Sequence, residues 1–173
     1  MVTDVTRRAP AWAIEGALNP TILRIHVTEA LTDRTIVVCP PEPAPAPFDE
    51  VAEIEGVRGL DLHRHRVRVN LEPGAGRAAV SRAAAQLLEA AWGAQDPLPL
   101  DEGPRAFSVA HEGPRLVAES PVMAAQQGDT TLIRVFEVPG VVEAIAGDGL
   151  VLVRLGRLFA WDDVQAEVSA ALT

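Results

Sequence analysis

Three short constellations carry residue types that can do chemistry. Gly74-Ala75-Gly76-Arg77-Ala78-Ala79 satisfies the G-x-G-x-x-A pattern whose backbone amides cradle the phosphates of a dinucleotide. That pattern works inside a parallel βαβ unit. Here the preceding segment reads as one arm of a hairpin, and no acidic strand end follows at the distance needed to hold a ribose, so the expectation is a flexible start to a helix. His63-Arg64-His65 offers two imidazoles, but Arg64, Arg66 and Arg68 repel a cation and no third ligand stands nearby. A solvated turn without metal is expected. Cys39 is the only cysteine and has neither a base nor a second thiol beside it, so a tolerated thiol is expected and an internal disulfide is excluded. No Ser, His and acid cluster stands out, and Asp162-Asp163 reads as favourable charge in the first turn of a helix. Neither a catalytic residue nor a cofactor is expected.

A further constellation emerges from strand alternation. Ile22 to Val27 places Leu23, Ile25 and Val27 on one face and Ile22, Arg24 and His26 on the other. If Val67, Val69 and Leu71 face a core, Arg66 and Arg68 point away from it and join Arg24 and His26 on an open face. That patch suits carboxylates, because a planar guanidinium pairs with them through two parallel hydrogen bonds. The corresponding positions of the second half are Leu150, Leu152, Ala106 and Ala110, with Ile145 where the first half has Asp61. An apolar open face invites cover, so Ile145, Leu150 and Leu152 are expected to be buried in an interface with the first half or a second chain.

The elements that position these residues repeat. Glu53-Ile54-Glu55-Gly56-Val57 reappears as Glu137-Val138-Pro139-Gly140-Val141, 84 residues on, and the same offset carries Val67, Val69 and Leu71 onto Val151, Val153 and Leu155 without a gap. It also maps Pro20 to Ile25 onto Pro104 to Val109. The reading is two domains, 1–94 and 95–173, each β-β-α-β-β-α. Hairpin-linked strands with helices between them predict an α+β fold, an antiparallel four-stranded sheet with two helices on one face in each copy. Gly56 and Gly93 are read as helix stops, and Gly147-Asp148-Gly149 as a turn whose residues accept positive φ. The run from Cys39 to Pro47, with Pro at alternate positions, is read as an extended loop.

With 173 residues, 48% hydrophobic and 23% charged, both units are expected to fold. The net charge is −9, and residues 95–173 hold five Arg against twelve acids. Generic binding to nucleic acid or to an anionic membrane surface is disfavoured by that balance. All 15 basic residues are Arg and Tyr is absent, as GC-rich bacterial coding would produce. No signal peptide or membrane span is read, and the cytoplasm is the expected compartment.

Asn19-Pro20-Thr21-Ile22-Leu23-Arg24-Ile25, Ile54-Glu55-Gly56-Val57 and Val67-Arg68-Val69 together resemble the N-terminal domain of Nfu/NifU-type iron-sulfur scaffold proteins. The second copy is similar through Phe136 to Val141, Gly147-Asp148, Val151 to Val153 and Trp161, although Gly103-Pro104 stands where the family has Asn-Pro. The Cys-X-X-Cys domain that carries the cluster in such scaffolds is missing, and one thiol cannot complete a cluster site. The resemblance therefore implies a non-enzymatic accessory role beside iron-sulfur protein maturation, with an assembly or client protein as partner. The competing expectation is a structural homodimer closed by the apolar face of copy two.

Overall fold

Two alternating runs joined by a tight turn must pair, and both copies of that pattern do. In the computed structural model, which describes residues 9–33, 36–38, 44–95, 97, 101–110 and 114–173, the chain divides into two compact units, Met1–Pro97 and Leu98–Thr173.

The first unit runs β1 (Trp12–Gly16), β2 (Ile22–Val27), β3 (Ile36–Val38), α1 (Phe48–Ala52), β4 (Val57–Leu62), β5 (Arg66–Leu71) and α2 (Arg77–Trp92). Its sheet is antiparallel in the order β1-β2-β5-β4-β3. Leu23, Ile25, Leu60, Leu62, Val67 and Val69 pack on one face against Phe48 and Val51 of α1 and Val80, Ala84 and Leu88 of α2. The four-stranded expectation needs correction here, because β1 adds a fifth strand beside β2. Trp12 anchors it: the side chain is fully buried and its Nε1 donates to the Gly93 carbonyl, 3.1 Å away, at the end of α2.

The second unit runs β6 (Arg105–Ser108), β7 (Leu116–Ala118), α3 (Pro121–Gln127), α4 (Thr130–Phe136), β8 (Val141–Gly147), β9 (Leu150–Leu155) and α5 (Trp161–Ala171), with an antiparallel sheet in the order β6-β9-β8-β7. Ala144, Ala146, Val151, Val153 and Leu155 meet Ala124, Leu132, Val135, Trp161, Val164 and Val168 in its core. One helix was expected between the strand pairs and two are found, and the first pair of each copy is not the expected hairpin: β2 and β3 are separated by β5 and β4, and β6 and β7 by β9 and β8. Ser120 caps α3 by accepting from the Met123 amide at 3.1 Å, Gly128 closes it at φ +69°, and Asp129 then caps α4 through the Thr131 and Leu132 amides.

Both units are α+β with helices on one sheet face, and the repeat is real in three dimensions. Val57, Leu60 and Leu62 pair with Leu71, Val69 and Val67 as Val141, Ala144 and Ala146 pair with Leu155, Val153 and Val151, with a bulge at the same place in each hairpin. α2 and α5 also start 84 residues apart. The gap-free offset fails on the first strands. Ile25 faces Val67, whereas Phe107 faces Val151, so β2 and β6 correspond at 82 residues and not 84.

α1 and α4 reach their C-caps at Glu53 and Glu137, and the repeated motif then turns on a glycine with positive φ, +92° at Gly56 and +85° at Gly140, so the helix stop expected at Gly56 is a turn beyond the helix. Each glycine also accepts a hydrogen bond of 2.8 Å, from the Glu72 and Gly156 amides, which ties this turn to the loop after the β4–β5 or β8–β9 hairpin. The same loop closes over the glycine. A Cβ on Gly56 would come within 2.9 Å of the Ala75 methyl, and one on Gly140 would run into the Phe159 ring. Gly is required twice over, by backbone and by contact. No helix among the described residues is long and apolar enough to cross a membrane.

Candidate functional site

The face of each sheet turned away from the helices is where the two copies differ in chemistry. In the first unit, pairing aligns a charged row across four strands: Glu15 opposite Arg24, Arg24 opposite Arg68, and Arg68 opposite Asp61. The next row sets Ala13 opposite His26 and His26 opposite Arg66. All four residues expected to share a face therefore do so: Arg24, His26, Arg66 and Arg68.

Their exposure differs from expectation. Arg24 and Arg68 are half-buried, but His26 is fully buried and Arg66 is 6% exposed, so these two do not lie on an open surface. Alternation tells which way a side chain points and not how deep it lies. Two acids also stand within the patch. Glu15 Oε2 lies 3.0 Å from His26 Nε2, and Asp61 accepts from Asn70 Nδ2 at 3.2 Å while facing Arg68 in register. Burial pushes the His26 imidazole down against the pull of Glu15, with Arg66 and Arg24 adding to the depression. Buried His26 Nδ1 and Arg68 Nε make no hydrogen bond among the described residues.

His63 belongs to this face too. The solvated turn expected at His63-Arg64-His65 is corrected: His63 is buried, His65 is half-buried with Nδ1 3.3 Å from the Val27 carbonyl oxygen, and only Arg64 is exposed. Burial, then Arg66 and Arg68, lower the His63 imidazole to about 4. Arg66 is itself pushed down to about 9 by burial and by the guanidinium groups of Arg24 and Arg68, with Asp61 opposing. At neutral pH His26 and His63 are thus held toward the neutral form while Arg66 keeps its charge.

In the second unit the equivalent row is apolar. Val117 faces Ile145, Ile145 faces Leu152, and Leu152 faces Ala106. Ile145 and Leu152 are half-buried, Val117 is 36% exposed and Leu150, one step further along β9, is 45% exposed. The three residues expected in an interface thus share one face, with Leu150 open to solvent. Val117 and the neighbouring ion cluster, Arg154 with Glu143 at 3.2 Å and Asp101 at 3.5 Å, were missed by the sequence reading. Val117 was visible as an alternating residue; the Arg154 cluster spans a loop and two strands and had no local signal.

The remaining constellations resolve locally. Gly74 to Ala79 leads from an antiparallel strand into α2, and Arg77 Nη1 donates to the Ala17 carbonyl at 2.9 Å, which leaves no parallel βαβ cradle for phosphates. Asp162 and Asp163 occupy the first turn of α5, as expected. Cys39 lies outside the described residues. Among the described residues no three His, Cys, Asp or Glu side chains gather as a metal site. Compared with protein families, curated proteins and solved structures, the chain matches none.

Proposed function

We propose that this chain is a non-enzymatic partner-binding protein of the cytoplasm, acting beside iron-sulfur protein maturation and built from two Nfu N-terminal-like units. The observation that carries the binding role is the replacement of one cross-strand row. Where the first unit has Asp61, Arg68 and Arg24, the second has Ile145, Leu152 and Ala106 on a face that leaves Leu150 in water. Large aliphatic side chains contribute roughly 1.5–3 kcal/mol each when fully covered, so this face gains from a partner. In the first unit, half-buried Arg24 and Arg68 are the groups that reach an acidic partner, while buried Arg66 adds its charge beneath them and His26 packs beside it. The link to iron-sulfur maturation rests on the resemblance of the Glu-Ile-Glu-Gly-Val motif and its neighbours alone; the shared glycine geometry and backbone bonds of its two copies speak for the repeat.

The test is co-purification from a host with iron-sulfur assembly, using the tagged chain and its Leu152→Arg variant side by side. The expected result is an assembly or client protein recovered with the first and lost with the second. Recovery of no such protein, or recovery indifferent to Leu152→Arg, refutes the reading. Light scattering decides the competing homodimer.

A further inference from the structure

We infer that the free edge of β6 takes an extended segment of a partner protein as an added strand of the second sheet, at a site apart from the open face. The first unit supplies the template, because there the same edge is covered. β1 lies antiparallel to β2 with Trp12 opposite Val27 and Ile14 opposite Ile25, and the Thr28 amide donates to the Ala11 carbonyl at 3.0 Å. β2 and β6 correspond at 82 residues, and the positions of β1 at that offset, 94–98, straddle the boundary between the units. Among the described residues β6 has β9 as its only neighbour. Register says which groups are left over. Val109 donates to the Gly149 carbonyl at 2.9 Å and Phe107 faces Val151, so the alternating bonds of an antiparallel pair turn the Phe107 amide and carbonyl toward β9 and those of Ala106 and Ser108 outward. Both residues are small and exposed, and neither a charge, a proline nor a bulge stands between Ala106 and Ser108 to blunt the edge.

The missing strand also leaves core side chains short of cover. Trp12 and Ile14 of β1 join the first core, in which Ile25, Val27 and Leu88 are fully buried. Their counterparts Phe107, Val109 and Leu172 pack against the second core and are only half-buried. The segment that fits therefore alternates as β1 does, with large apolar residues opposite Val109 and Phe107 turned toward the core and small residues opposite Ser108 and Ala106. A second copy of this chain has no such strand to give. Its Phe107 and Val109 already pack in their own unit, and its β1 is paired with β2 and anchored by buried Trp12. The occupant is a partner's extended segment, held by main-chain hydrogen bonds and selected by its two apolar side chains.

The probe is a dye-labelled peptide of about eight residues, the length of an ordinary strand, with Trp and Ile two positions apart in a run of Thr, titrated by fluorescence anisotropy into the full chain. It is expected to bind about tenfold or more tighter than a peptide of the same composition with Trp and Ile adjacent. By the β1 pairing, the amide of the Thr between Trp and Ile faces β6 and the Ile amide faces away. N-methylation of that Thr should therefore abolish binding, and N-methylation of Ile should not. Hydrogen exchange at the Ala106 and Ser108 amides should slow when the probe binds. Ser108→Pro removes one outward amide at an edge position of the kind that accepts proline and should cost about tenfold or more; the paired N-methyl peptides keep the test decisive if that variant misfolds. Absence of binding, equal binding of the adjacent-residue peptide, equal loss from the two N-methyl peptides, unchanged exchange at Ala106 and Ser108, or a dimer that Ser108→Pro separates would each overturn the inference. Failure of the peptide removes the strand site alone, since the open-face contact stands or falls with Leu152→Arg.

Discussion

Acid should weaken the first unit through His63, and the size follows from its surroundings. The imidazole is buried beside Arg66 and Arg68, and its folded value of about 4 lies below the 6.5 of an unperturbed histidine. The unfolded chain therefore takes up the proton first. Stability from neutral His63 is complete above pH 6.5 and drains as pH falls toward 4. The full span corresponds to about 3 kcal/mol, of which about 2 kcal/mol is lost between about pH 7.5 and 5. His26 is depressed in the same direction, so it adds to the loss and does not offset it.

The assay is urea unfolding of the first unit at a series of pH values, in a Trp161→Phe background so that fluorescence reports Trp12 and Trp92 only. His63→Asn, which cannot take a proton, should flatten the acid limb by about 2 kcal/mol at about pH 5 relative to its own value at about pH 7.5. Parallel pH profiles for the two proteins would refute the claim that His63 is held neutral by burial and the arginines. Comparing slopes removes any pH-independent cost of the substitution.

Two further outcomes are expected. Gly140→Ala should destabilise the second unit by about 2–4 kcal/mol, combining a strained φ with a clash against Phe159, whereas Gly74→Ala, at the same φ of +85° but with open space around it, should cost the first unit only about 1–2 kcal/mol; equal losses in chemical denaturation would show that the Phe159 contact is irrelevant. Anaerobic reconstitution followed by gel filtration should leave no iron or sulfide on the monomer, because a single thiol cannot supply the usual cluster ligands; stoichiometric retention of both would overturn that.

The parts of the fold that were legible share a physical reason. β4, β5, β8 and β9 alternate because one side of each meets a core, and Gly56 and Gly140 mark the turns after α1 and α4 that only glycine fits. The two-residue slip of β6 was invisible because a shift of two keeps every side chain on its own face. β1 escaped notice because Trp12 and Ala13 are both fully buried, which erases the alternation that announces a half-buried strand. α3 was hidden by the Ser120-Pro121 pair, a cap followed by a first-turn proline that reads equally well as a loop. The candidate site was legible as a shared face. Its depth was not, since a charged residue in a strand is exposed by default and only the assembled sheet decides otherwise.

The extra strand and the charged row belong together. β1 sets Glu15 beside Arg24, so the row Glu15, Arg24, Arg68, Asp61 has an acid at each end and its central guanidinium groups lie between carboxylates of the same sheet. Among the described residues the second unit has no strand outside β6, so its row ends on a sheet edge. An arginine at half-buried Leu152 would meet Ile145 on one side and exposed Ala106 on the other, and half-buried charge without a partner is costly. Aliphatic side chains remove that cost and create another, the apolar surface left in water at Leu150 and Val117. In the first unit the row's end charges face opposite charges within their own sheet; in the second the apolar row has no such compensation within the sheet, and the proposed contact through it is distinct from the one proposed for Arg24 and Arg68.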